Sequence, residues 1–184
     1  DGAATVSTAG DITTTADNIT FARAVTLTGN VALSTASGAG NITFSSTTDG
    51  AYNLTLTAGT GSVTFTGAVG GSTRLGALTI ASAANLTASG AITAASIAQT
   101  AGSGTTTFNG ALNTSTASGI DLNGTAFTIN DTVTTTNNGT LTITNSGTLT
   151  IAATADMSLD GAFTQDGTAA VSTAGDITTS ADNI

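Results

Sequence analysis

The chain has 184 residues and a formal charge of −9, with 11 Asp, two Arg, and no Lys, Glu, His, Cys, Pro or Trp. Without clustered Lys and Arg it has no means of gripping nucleic acid or an anionic membrane surface. Without His, Cys or Lys it can form no disulfide, no Lys–Asn isopeptide staple and no Ser–His–Asp, Cys–His or Lys-based nucleophile.

Hydrophobic residues make up 39% of the chain and charged residues 7%, so it lacks the low-hydrophobicity, high-charge signature of disorder. Thr, Ser, Gly, Asn and Ala supply most of the rest. Thr is β-branched and favours strands, whereas Gly, Asn and Asp favour turns. An all-β chain of short strands follows.

In chain order, the clearest elements are triplets with Thr at the centre. Ile19-Thr20-Phe21 comes first, then Ile42-Thr43-Phe44, Val63-Thr64-Phe65 and Leu86-Thr87-Ala88. Thr106-Thr107-Phe108, Phe127-Thr128-Ile129 and Leu149-Thr150-Ile151 complete the series. The spacings are 23, 21, 23, 20, 21 and 22 residues, and four of the six Phe fall on the third position. Strand side chains alternate, so the outer residues of each triplet face a core and the Thr faces solvent.

Val25-Thr26-Leu27-Thr28, Leu54-Thr55-Leu56-Thr57, Leu78-Thr79-Ile80 and Leu141-Thr142-Ile143-Thr144 follow the same rule. Turn signals separate these segments. They are Asn-Gly at 109–110, 123–124 and 138–139, and Asp-Gly at 49–50, 160–161 and 166–167.

Strands of about 4–6 residues with a repeat near 21–23 predict a parallel β-helix, a β-solenoid whose coils hold two or three strands each. An immunoglobulin-type sandwich would have longer strands, a repeat near 100 residues and often a core Trp. An outer-membrane barrel would need strands of about 9–11 residues and aromatic girdles. The spacing favours the solenoid over both. The ladder does not close cleanly, because 35 residues separate Leu149 from Ile184, so a longer coil or a slipped register is expected there.

A second periodicity lies above the first. DGAATVSTAGDITTTADNI (1–19) and DGTAAVSTAGDITTSADNI (166–184) match at 16 of 19 positions, at an offset of 165. The expected organisation is one solenoid unit over 1–165 and the start of a second copy over 166–184. One unit would hold roughly seven or eight coils and rise about 35 Å.

The runs LTLTAGTGSVTFTGAVGG (54–71), LGALTIASAANLTASGAIT (75–93) and GTLTITNSGTLTIAA (139–153) resemble the repeats of giant bacterial surface proteins, the filamentous-haemagglutinin-like and related autotransporter adhesins. The resemblance implies a right-handed parallel β-helix, secretion, and a place in a long extracellular fibre or adhesin stalk at the cell surface. The chain contains no run of 18 apolar residues that would span a membrane as a helix.

Candidate chemistry is sparse. Asp156 and Asp160 form the one carboxylate pair weighed as an acid and base, with strand-end and turn roles preferred. Asp11, Asp17, Asp176 and Asp182 could help stacked turns hold calcium, but the calcium nonapeptide and EF-hand patterns are absent. Thr-x-Thr pairs starting at Thr13, Thr26, Thr55, Thr64, Thr105, Thr134, Thr142 and Thr148 suggest an ice-binding face, but their intervals are irregular. Sequons occur at Asn18, Asn41, Asn53, Asn85, Asn113, Asn123, Asn130 and Asn138.

The expectation is a non-enzymatic structural repeat without catalytic, cofactor or metal residues. It associates end to end, and in places laterally, with identical repeats. The alternative is an adhesin module that binds surface glycans through its face or through the loop Gly70-Gly71-Ser72-Thr73-Arg74.

Overall fold

A computed structural model describes residues 4–180 and 184. The described chain is all-β and contains no helix. Every ladder between neighbouring strands is parallel, and the strands stack as a β-solenoid of about eight turns. Each turn lays down three short strands, so the solenoid has three faces.

Face one carries Val6–Thr8, Val25–Leu27, Thr48–Asp49, the bridging residue Val69 and the first half of Ile92–Gln99. It continues through Leu112–Thr114, Val133–Thr135, Met157–Leu159 and Ile177–Thr179. Face two runs from Ile12–Thr13 through Val31–Ser34, Leu54–Thr57 and Leu75–Ser82 to the second half of Ile92–Gln99. Ile120–Gly124, Leu141–Asn145 and Phe163–Gly167 extend it. Face three holds Ile19–Phe21, Ile42–Phe44, Val63–Phe65, Leu86–Ala88, Thr105–Phe108, Ala126–Ile129, Leu149–Ile151 and Val171–Thr173.

The apolar–Thr–apolar triplets are therefore the successive rungs of face three. Ile42–Phe44 and Val63–Phe65 show the alternation directly, with outer residues buried and the central Thr partly exposed. The unequal spacings do not disturb the register, because corner loops absorb the difference. Inward residues form continuous columns. Ile19, Ile42, Val63 and Leu86 head one column, and Phe21, Phe44 and Phe65 head the next. The Phe21–Phe44 and Phe44–Phe65 rings stack at 5.1 and 5.0 Å, close to one strand spacing.

Polar residues also enter the interior. Thr48 sits in the aliphatic column of face one between Val25 and Val69, fully buried. Gln99 follows Ile80 and precedes Leu122 in a column of face two. Its Oε1 accepts from the buried Thr106 Oγ1 at 2.7 Å, and its Nε2 donates to the Asn123 carbonyl at 3.3 Å. Thr106 is thus the one inward polar residue at the head of a face-three triplet, held there by a partner on the neighbouring face.

Three expectations need correction. Most strands have three to five residues, shorter than expected, while Leu75–Ser82 and Ile92–Gln99 reach eight. Asn123-Gly124 and Asp166-Gly167 are not turns. They end the strands Ile120–Gly124 and Phe163–Gly167 and pair in register with Thr144-Asn145. A parallel solenoid has no hairpins, so its Asx-Gly pairs serve where backbones crowd. A Cβ on Gly167 would lie 2.3 Å from the Asn145 carbonyl oxygen. Finally, the rung after Leu149 is Val171, 22 residues on, and not Ile184. Val171-Ser172-Thr173 escaped the triplet pattern because its third residue is polar.

Candidate functional site

The outer surface divides into three faces and three corners. On face three the central residues form one straight column: Thr20, Thr43, Thr64, Thr87, Thr107, Thr128, Thr150 and then Ser172. The irregular sequence intervals of these Thr are thus made regular by the fold. The adjacent outward column is mixed, running Asn18, Asn41, Ser62, Asn85, Thr105, Ala126 and Thr148. The surface is a single Thr rank, not the paired ranks that Thr-x-Thr predicts.

The corners are closed by short Asn and Asp side chains that accept backbone N–H groups from the next coil. Asn18 Oδ1 accepts from Asn41 N at 2.7 Å, and Asn41 Oδ1 from Ser62 N at 2.8 Å. Asn85 Oδ1 takes Thr105 N in the same way. On another corner Asn30 Oδ1 accepts from Asn53 N, and Asn53 Oδ1 from Ala77 N. These bonds satisfy N–H groups that a parallel sheet leaves unpaired where its strands end. Four sequon asparagines, Asn18, Asn41, Asn53 and Asn85, are exposed at these corners.

The Asp residues do similar work. Asp11 Oδ1 accepts from Ala32 N at 2.7 Å, and Asp49 Oδ1 from Ser72 N at 2.7 Å and Thr73 N at 3.1 Å. Asp156 Oδ1 accepts from Asp176 N at 3.0 Å. Asp160 accepts from Asn138 N at 2.8 Å through Oδ2 and from Ser180 Oγ at 2.8 Å through Oδ1. The Asn138 backbone N–H chiefly, and then the Ser180 hydroxyl, hold the Asp160 carboxyl below the usual carboxylate range against a small opposing effect of desolvation. A one-carbon stem reaches an N–H one coil away without looping out, which is a physical reason for Asp in place of Glu.

Asp156 and Asp160 lie at opposite ends of the strand Met157–Leu159. Four residues of extended chain put their Cα atoms roughly 13 Å apart. Each carboxylate is engaged with a different neighbour, so the fold does not bring the pair together as an acid and base. Asp11 lies before face two and Asp176 before face one, so those two candidates are not brought together either. Asp182 lies outside the described residues. Among the described residues no group of three or more His, Cys, Asp or Glu is arranged to hold a metal ion.

The loop before Leu75 is also tied down. Arg74 Nη1 donates to the Ala94 carbonyl at 2.8 Å and the Asn113 carbonyl at 3.1 Å, and Nη2 donates to Asn113 Oδ1 at 2.6 Å. One guanidinium thus staples three successive coils, the five-donor fork suiting converging oxygens. As a recognition residue it would first have to leave these partners.

An open groove that the sequence did not announce lies at the corner between faces two and three. Its volume is about 450 Å³, and Thr100, Asn123, Thr125, Thr144, Ser146 and Asp166 line it together with glycine and alanine backbone. Buried Asn145 lies on its floor, donating to the Gly147 carbonyl and accepting from Gln165 Nε2 at 2.7 Å. The residues lie on separate coils and become neighbours only through the stacking, so no local motif marks them. Comparison with known protein families, with curated proteins and with solved structures gives no match to this chain.

Proposed function

We propose that this chain is a structural segment of a long extracellular β-solenoid fibre, a cell-surface filament or adhesin stalk, in which further coils of the same kind stack on its open edges. The observation that carries this reading is a contrast in burial. Interior rungs bury their core residues to 0–6% exposure, whereas Val6, Ile12 and Val171 on the outermost described coils are 36%, 36% and 45% exposed. Among the described residues their strands also pair along one edge each, which leaves the other as a template for another strand. The recurrence of VSTAGDIT at an offset of 165 supplies a matching partner, another copy of the unit. Such a head-to-tail contact is heterologous and does not close on itself. Negative-stain electron microscopy of the native material tests the reading. Rods of constant width are expected, and compact isolated particles would overturn it.

A second reading, an adhesin module, is favoured by the open groove between faces two and three, where hydroxyl, amide and carboxylate side chains stand over glycine and alanine backbone. Its hydroxyl, amide and carboxylate groups suit the hydroxyls of a sugar. Arraying the purified chain on glycans decides this point: retention abolished by Asn123→Ala supports it, and uniform background binding removes it.

A further inference from the structure

The two copies of VSTAGDIT do not occupy equivalent places in the solenoid. In the first copy Val6–Thr8 pairs with Val25–Leu27 on face one, and Ile12–Thr13 pairs with Val31–Ser34 on face two. In the second copy Val171–Thr173 pairs with Leu149–Ile151 on face three, and Ile177–Thr179 pairs with Met157–Leu159 on face one. The same sequence has moved back by one face. Val171 lies seven whole coils and two further faces beyond Val6, because eight face-one rungs precede it and it sits on face three of the eighth. A recurrence of 165 residues is therefore not a whole number of turns.

We infer that the recurrence is a screw operation: each unit meets the next turned by one third of a revolution about the solenoid axis. The inference rests on the fibre reading given above and specifies its joint.

Nothing in the packing opposes the shift. All three faces are built from short strands with the same in–out–in alternation, so an aliphatic residue fits the same kind of seat on each. Val6 extends the column of Val25, and Val171 extends the column of Leu149. The spacing of the motif suits its second position well. Six residues separate Val171 from Ile177, and six also separate Ile19 from Val25, Ile42 from Thr48, and Val63 from Val69 where the chain passes from face three to face one. The second copy thus continues the edge strands with its faces rotated.

The consequence for the surface is direct. The Thr rank of face three is carried by the following unit on a different side, and three units return it to its starting azimuth. A fibre of such units presents each face's chemistry to all sides in turn and offers no continuous single-faced stripe for lateral packing.

The natural chain has no cysteine, so paired substitutions report the phase cleanly. Ser172 is the register partner of Thr150 in the rotated arrangement. In an unrotated arrangement Val171 would extend the column of Met157 and place Ser172 beside Ser158. Rungs about 4.8 Å apart lie within disulfide reach.

The full chain carrying T150C/S172C is expected to cross-link within one molecule under mild oxidation, and S158C/S172C to remain free. Cross-linking of S158C/S172C, or of neither pair, overturns the rotation. The fibre reading is separated by its own result: T150C/S172C cross-linking in material that forms no rods under the microscope keeps the rotation and removes the fibre.

Discussion

The Phe44 ring lies on the Phe65 ring with centroids 5.0 Å apart and planes 14° from parallel. Phe21 covers its other side at 5.1 Å, so Phe44 holds the middle of a three-ring stack one rung per ring. Its side chain is fully buried. Phe44→Ala removes both ring contacts and opens a cavity that stacked backbones cannot collapse, at a cost of about 3–5 kcal/mol. Phe44→Leu refills most of the volume and should cost less than half as much. Urea denaturation monitored by circular dichroism checks both. Equal losses for the two variants would remove the stack as a source of stability.

Thr48 makes the opposite case. It occupies a column of Val25 and Val69, and among the described residues its buried Oγ1 has no hydrogen-bond partner. Thr48→Val replaces that hydroxyl with a methyl of nearly the same shape. Removing the uncompensated desolvation should stabilise the fold by about 1 kcal/mol. A lower denaturation midpoint for Thr48→Val would show that the hydroxyl finds a partner in solution.

These two positions also show how far the sequence could be read. The triplets from Ile19 to Leu149 announced every rung of face three up to that point, because an aromatic or aliphatic residue stood on each side of a Thr in all of them but Thr106-Thr107-Phe108, and the spacing stayed near one coil. Faces one and two were harder to align. The chain takes six residues from Val25 to Val31 but nine from Val69 to Leu78 and five from Ile92 to Ile97, so no fixed period links them.

Thr106 was legible as an inward residue from its place in a triplet, but Thr48 and Gln99 were invisible as core residues, since their seats are defined by register partners 19 to 23 residues away. Nor could local pattern distinguish one face from another. The in–out–in code is the same on all three, which is why the phase of VSTAGDIT emerged only from the pairing.

Gly70 and Gly71 are adjacent in sequence and should respond oppositely to alanine. Gly70 has φ +69°, and a Cβ there would lie 1.9 Å from the Thr93 carbonyl oxygen of the next coil. Gly71 has an ordinary φ, and its nearest contact is Ala68 Cβ at 3.4 Å. Gly70→Ala should therefore cost about 3 kcal/mol, the combined effect of left-handed strain and overpacking. Gly71→Ala should be within about 0.5 kcal/mol of the natural chain. Thermal melts of the two variants compare them directly, and a Gly70→Ala protein as stable as Gly71→Ala would contradict the close approach.

Arg74 separates the structural reading of its loop from the recognition reading. Its fork reaches oxygens of Ala94 and Asn113, and Lys presents a point charge that cannot cover all three. Arg74→Lys and Arg74→Ala should each lower stability, by about 1 and 2 kcal/mol respectively. Amide exchange around Ala94 and Asn113 should rise in step. If both variants keep full protection there while glycan retention falls, the side chain serves recognition after all.

Asp160 sets the acid sensitivity of one corner. Its folded-state pKa is lowered, first by the Asn138 N–H and then by the Ser180 hydroxyl, both of which favour the charged carboxylate. The unfolded chain protonates at the ordinary value, so below it the unfolded state binds more protons than the folded one. The stabilisation is therefore fully present above the ordinary carboxylate pKa and is lost as pH falls through the lowered folded value. Asp160→Asn keeps an accepting oxygen but no titrating charge, so its melting temperature should fall less steeply between neutral pH and strong acid. Ser180→Ala should lie between the two, because it removes the second-ranked cause and leaves the first. Melting temperatures measured across that range for the three proteins check the order, and superimposable acid limbs for the natural chain and Asp160→Asn would show that this carboxylate does not link the coils in solution.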